Sequence, residues 1–212
     1  MTDRLLSVTG LSKSYRHRPV LVDAHFEAYA GEAVAIVGEN GAGKSTLLRI
    51  CAGLLAPDAG EVCRRGRVGY CPQQPGLVDL LSADEHLVLF GSALGLDRDA
   101  ALAAGREVLD SLGFPVGEAT VARAMSGGTR QKLNLALALL ADAPVLLLDE
   151  PYQGFDLGSY VDFWQHVDTW RSEGRAVVVV THLLAELDRV DRVVELSVTH
   201  GVGSRVTEGA LR

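Results

Sequence analysis

The chain has 212 residues, 48% of them hydrophobic and 22% charged, which suits one folded domain with a proper core. Its net charge of −7 gives no electrostatic ground for nucleic-acid binding, a function that shows as a basic patch or a high pI. Cys51, Cys63 and Cys71 have no C-x-x-C spacing, which argues against a disulfide framework or a structural zinc site and for a reducing cytosol.

Met1 to Leu6 carry no apolar signal region. Leu5 to Val8, followed by the alternating run Val20 to Ala28, predicts a small antiparallel sheet. Tyr15 falls between these strands; its ring suits stacking on a base as well as it suits packing on its own sheet. Ala33 to Val37 is an apolar strand, and after it comes Gly38-Glu39-Asn40-Gly41-Ala42-Gly43-Lys44-Ser45-Thr46. This is G-x-x-x-x-G-K-[ST] between a strand and a helix-like run, Leu47 to Ala52, which is the context that gives the motif its meaning. Glycines let successive N–H groups turn inward on phosphate oxygens, and the helix adds its positive dipole end. Lys44 can reach the β- and γ-phosphates, and the Ser45 hydroxyl can ligate Mg²⁺. Lysine is scarce here, with only Lys13, Lys44 and Lys132, and one stands where the motif requires it. A nucleoside triphosphate site is the strongest reading.

Pro57 to Gly60 is a turn, Arg67 to Cys71 a short strand, and Pro72 to Gly76 a loop carrying Gln73, which suits a solvated loop as well as a metal's hydration shell. From Ser82 to about Leu112 the pattern is helical, opened by the capping box Ser82–Glu85. Leu87, Phe90, Ala93 and Leu94 are expected on one face. Met125-Ser126-Gly127-Gly128-Thr129-Arg130-Gln131-Lys132 ends this insert, about residues 76–135, and leads into an apolar helix, Leu133 to Leu140. Its Ser-Gly-Gly turn fits a plain N-cap or a second anion-binding turn. The most apolar stretch, Leu133 to Leu148, is broken by Asn134, Asp142 and Pro144, so no membrane span is expected. Val145 to Leu148 reads as a strand buried on both faces, ending in Asp149 and Glu150. Adjacent strand residues point opposite ways, so the two acids divide the work: Asp149 for Mg²⁺, Glu150 for orienting or deprotonating water. Val177 to Val180 repeats the design, ending at Thr181 and His182. Val193 to Val206 predicts two short strands around Gly201 to Gly203.

In this order, these pieces resemble the ATP-binding subunit of an ABC transporter, from about Leu5 to about Val206. Gly38 to Ser45 matches the Walker A loop, Val145 to Glu150 Walker B with its catalytic glutamate, and Ser126-Gly127-Gly128 the core of the family's signature. Gln73 matches the Q-loop glutamine, Asp156 the D-loop aspartate, His182 the switch histidine and Tyr15 the adenine-stacking aromatic. The chain departs from the common pattern at Met125 and Thr129 in the signature, at Tyr152, where threonine is usual, and at Phe155, where leucine is usual.

The resemblance implies an α/β P-loop NTPase fold, with a mainly parallel core sheet flanked by helices, an N-terminal antiparallel β-subdomain and a small helical subdomain, all in one domain. It implies an ATPase using ATP and Mg²⁺, the metal at Ser45, Gln73 and Asp149. Two cassettes, alike or related, would sandwich two ATP molecules, each between Walker A of one and the signature of the other. The expected partner is a membrane permease, the expected place the inner face of the cell membrane, and the expected direction export. A soluble ABC ATPase acting on nucleic acid or ribosomes is the alternative.

Overall fold

In the computed structural model, residues 3–115, 120–181, 188–199 and 203–210 are described. Strands β1 (Arg4–Tyr15) and β2 (Arg18–Tyr29) form an antiparallel hairpin. Arg16 and His17 close it with left-handed backbones, the turn geometry that matches strand twist. β3 (Ala33–Gly38) leads into helix α1 (Lys44–Cys51), and β4 (Ala59–Arg64) returns antiparallel to β1. β5 (Val68–Cys71) follows.

The helical stretch divides into α2 (Ala83–Ala93) and α3 (Arg98–Ser111), separated at Gly95 with its left-handed φ of 83°. The capping box forms: Glu85 N donates to Ser82 Oγ at 3.3 Å, and Ser82 N donates to Glu85 Oε2 at 2.7 Å. The expected apolar face is only partly kept. Leu87 is fully buried, whereas Phe90 is 37% exposed.

Helix α4 (Gly127–Leu139) begins six residues before the apolar run at Leu133. Thr129 N donates to Ser126 Oγ at 3.2 Å, so the cap sets the helix start and the apolar residues only continue it. β6 (Val145–Asp149), α5 (Leu157–Ser172), β7 (Ala176–Val180), β8 (Arg192–Thr199) and β9 (Gly203–Ala210) complete the order. β8 and β9 are the expected final pair; the turn residues Gly201 and Val202 lie outside the described residues.

Among the described residues one sheet runs β4-β1-β2-β9-β8-β3-β7-β6-β5. Its β8-β3-β7-β6-β5 part is parallel, and its β4-β1-β2 part is antiparallel. The apolar strands alternate between two cores, as period-2 geometry dictates. Val34, Ile36, Val145, Leu147, Val178 and Val180 pack with α1 and the β-hairpin. Ala35, Leu146, Leu148, Val177 and Val179 pack with α4 and α5, including Phe163 and Trp164. Burial on both faces is why these strands read as unbroken apolar runs.

Candidate functional site

The carboxyl ends of β3, β5 and β6 deliver the central residues to one place. β3 ends at Gly38, and the loop turns into α1 through Gly43, whose φ is 92°. A Cβ on Gly43 would stand 2.8 Å from Val20 Cγ1, so both backbone and space require glycine there. No side chain caps α1, which leaves its first N–H groups to the loop's own concavity, an arrangement suited to an anion. A cavity of about 320 Å³ opens here. Its wall includes Asn40, Gly41, Lys44 and Ser45 from the loop and α1, Gln73 after β5 and Glu150 after β6.

Lys44 is buried, and its Nζ donates to Gly38 O at 2.7 Å and Glu39 O at 2.9 Å. Burial lowers its pKa from the ordinary lysine value, and the negative charges of Glu150 and Asp149 oppose that shift. Asp149, 2% exposed, closes β6.

Glu150 has a left-handed backbone, φ 49°, which costs a non-glycine residue about 1–3 kcal/mol and persists only where neighbours over-determine it. Those neighbours are visible. Glu150 N donates to Val180 O at 3.3 Å, and Glu150 O accepts from Gln153 N at 3.2 Å and from Gln131 Nε2 at 3.5 Å. Gln73 Nε2 donates to Glu150 Oε2 at 3.0 Å, joining residues that stand 77 apart in sequence at the ends of neighbouring parallel strands.

Two further residues of α4, to which the motifs assigned no role, support this corner. Asn134 of α4, 5% exposed, donates through Nδ2 to Pro72 O at 2.8 Å and approaches Cys71 Sγ at 3.2 Å. Gln131 lies one turn earlier, 2% exposed, with its Oε1 3.4 Å from the same Nδ2. Together they tie the helix that follows the Ser-Gly-Gly turn to the stem of the Gln73 loop and to the backbone of Glu150. The signal available in the sequence was two polar residues three apart on an apolar helix.

Other candidates lie apart from the cavity wall. Ser126 caps α4 and Gly127 and Gly128 form its first turn. A Cβ on Gly128 would stand 2.5 Å from Gly154 O, so this turn packs directly on the segment between Glu150 and Asp156. Asp156 caps α5, accepting from Ser159 N at 2.9 Å and Ser159 Oγ at 3.2 Å; these bonds hold its carboxyl below the usual range. Tyr15 is the last residue of β1 instead of a loop residue, because the hairpin is longer than its alternating pattern, and it is 44% exposed. Lys13 Nζ stands 5.9 Å from the Tyr15 ring centroid and is paired with Asp58 Oδ1 at 2.7 Å. His182 lies outside the described residues. Thr181, just before it, is fully buried, and its Oγ1 accepts from Tyr152 OH at 2.6 Å.

A family model described as ABC transporter matches residues 21–153. The chain is 33% identical over 204 residues to ATP-binding cassette sub-family A member 7 of Mus musculus, covering 89% of this chain and 9% of that protein. It is 31% identical over 201 residues to Nod factor export ATP-binding protein I of Sinorhizobium fredii, covering 89% of this chain and 59% of that protein. Thus it spans less than two thirds of either relative's length. A bacterial ABC transporter cassette solved as a dimer superposes with a TM-score of 0.86 at 26% identity, over 98% of this chain and 99% of that one. A dimeric post-hydrolysis state of the same cassette, bound to ADP and Pi, superposes with a TM-score of 0.82 at 26% identity, again over 98% and 99% of the two chains. The family model covers more than half of the chain and the relatives share about a third of its residues, so the chain belongs to the ABC transporter family, as an ATP-binding cassette.

Proposed function

We propose that this cassette binds ATP in the Gly38–Ser45 cavity and hydrolyses it with Glu150 as general base, as one half of a cassette pair that drives a separate membrane permease. The observation that carries this reading is the convergence of Lys44, Gln73 and Glu150 on one cavity, with Gln73 and Glu150 in direct hydrogen bond. The loop N–H groups and the Lys44 ammonium hold the phosphates. Glu150 accepts the proton of the attacking water, and Gln73, already on its carboxylate, keeps that oxygen facing the cavity. Ser126 to Gly128 are offered to the ATP of a partner cassette, where the N–H groups of the α4 start suit an oxyanion. Tyr15 offers its exposed ring to the base, and Asp156 and His182 are assigned to the dimer-facing side by resemblance.

The donor set fits Mg²⁺: the Ser45 hydroxyl, the Gln73 amide oxygen and the Asp149 carboxylate are hard oxygen ligands, few enough to leave room for water and phosphate. Among the described residues no group of three or more His, Cys, Asp or Glu that could hold a metal ion exists. Bound Mg²⁺ would neutralise charge on the β- and γ-phosphates.

No described helix is long and apolar enough to cross a membrane. Val78 and Leu80, after the Gln73 loop, and Leu89 and Phe90, on α2, present apolar side chains to solvent, a surface suited to a permease at the inner face of the membrane. Export is favoured by the relative that is itself an export ATP-binding protein. The test is Glu150→Gln. It should bind ATP, hydrolyse it at least about a hundredfold more slowly and elute as a dimer on gel filtration with ATP. A variant that stays monomeric and turns over normally refutes the assignment.

A further inference from the structure

We propose that Tyr152 is a positioning residue for Glu150, an inference that rests on Glu150 being the general base. Glu150 occupies a left-handed backbone, which a glutamate leaves unless the chain on both sides is fixed. On the amino side it is fixed by β6. On the carboxyl side the turn from Glu150 to Gly154 needs its own anchor. Tyr152 supplies it: its phenolic OH donates to Thr181 Oγ1 at 2.6 Å. Thr181 is immobile in turn, being fully buried with its own N–H given to Ile36 O at 3.2 Å. Thus Tyr152 ties the turn to β7 and, through Thr181, to β3, the strand that delivers the phosphate loop.

The ring is aimed by packing. Tyr160 and Phe163, both on α5, meet it edge-on with centroids 5.4 Å away in each case. Its backbone carbonyl accepts from Phe155 N at 3.0 Å, which sets the start of the segment leading to Asp156. The link from Glu150 N to Val180 O, at 3.3 Å, lies two residues earlier in the turn and one residue earlier at the strand end. Glu150–Val180 and Tyr152–Thr181 are therefore consecutive stitches between the same turn and the same strand end. The second is the shorter, and both acceptors belong to fully buried residues. A threonine, usual at this position in the family, carries its hydroxyl on Cβ and lacks the reach of the phenol that makes this anchor in Tyr152.

Tyr152→Phe keeps the ring and deletes only the hydroxyl. The expected result is a fall in kcat for ATP hydrolysis of about tenfold, with KM for ATP within about twofold, the scale of one buried hydrogen bond lost from a pre-organised group. In a Glu150→Gln background the same change should alter residual single-turnover hydrolysis by less than about twofold, because Tyr152 acts through the carboxylate that is gone. A merely structural tyrosine lowers both backgrounds by the same factor, and that outcome overturns the inference. So does a wild-type kcat for Tyr152→Phe. Thr181→Val removes the acceptor instead and should reproduce the loss, with no further loss in the double variant; additive losses count against the link. If Glu150→Gln turns over at the wild-type rate, Glu150 is not the base. That result is distinct from failure here, in which Glu150→Gln is inactive and Tyr152→Phe is unimpaired.

Discussion

Replacing Asn134 by alanine withdraws the donor that holds Pro72 O at 2.8 Å and the contact with Cys71 Sγ at 3.2 Å. A half-buried carbonyl left without its donor, and the small void left by the amide, together cost about 1–2 kcal/mol. For a domain of this length each kcal/mol moves the melting midpoint by about 2–4 °C, so Asn134→Ala should melt about 2–8 °C below wild type. The same loss frees the stem of the Gln73 loop, and turnover should fall while ATP binding is retained. Asn134→Asp sharpens the test. At neutral pH its carboxylate faces a carbonyl that it cannot satisfy, in a position only 5% exposed at Asn134. It should therefore be less stable than Asn134→Ala. Such a carboxyl has a folded pKa above its unfolded value of about 3.9. The penalty is then full above the folded pKa and is relieved as pH falls toward about 3.9, where the protonated acid can donate to Pro72 O. Melting curves of the three proteins at about pH 7.5 and pH 4.5 measure this, and the gap between Asp and Ala variants should narrow at the lower pH. An Asn134→Ala midpoint within about 1 °C of wild type, or an Asp variant no worse than Ala at neutral pH, would refute the reasoning.

Lys44 is held below the ordinary lysine pKa by burial, more than Glu150 and Asp149 restore, and bound triphosphate favours the ammonium. ATP binding at about pH 9 should thus take up protons, read by calorimetry in two buffers of different ionisation enthalpy; identical enthalpies would contradict it, and Lys44→Ala should lose both the uptake and most of the affinity. Burial pushes the Cys51 thiol up to about 12 and raises that of Cys71, whereas Cys63 is exposed. Near pH 8 one thiol per native chain should react quickly with a thiol reagent and three after unfolding; three fast thiols in the native protein would show that the packing around α1 and β5 is not as described.

The phosphate loop was legible because its chemistry is local: nine consecutive residues between a strand and a helix contain the whole device. The same holds for the Ser82–Glu85 capping box, whose partners are three residues apart. Parallel strands β6 and β7 announced themselves as apolar runs because both faces are covered. What escaped the reading is non-local. Asn134 and Cys71 stand 63 residues apart, and nothing on α4 alone distinguishes a buried amide with a partner from a break in an apolar segment. Phe90 follows the helical period, yet the core does not extend over its side of α2. Helix α4 begins at Gly127, straight after its Ser126 cap, because a capping hydroxyl, and not the first leucine, decides where the hydrogen-bond ladder starts. Tyr152 was visible as a departure at an expected contact surface, but its acceptor, 29 residues on, becomes its neighbour only when β7 lies beside β6.

The alternation of β6 between two cores separates two kinds of adjustment within five residues. Leu147 rests on the side of α1, and Leu146 and Leu148 on the side of α4 and α5. A methylene gained or lost at Leu147 presses on the floor beneath the phosphate loop, whereas the same change at Leu148 presses on the helix that starts with Ser126, Gly127 and Gly128. Neighbouring residues of one apolar run therefore transmit to opposite sides of the sheet. A change of volume at Leu147 and one at Leu148 can shift the phosphate-loop side and the α4 side independently, with every residue of the cavity wall left as it is.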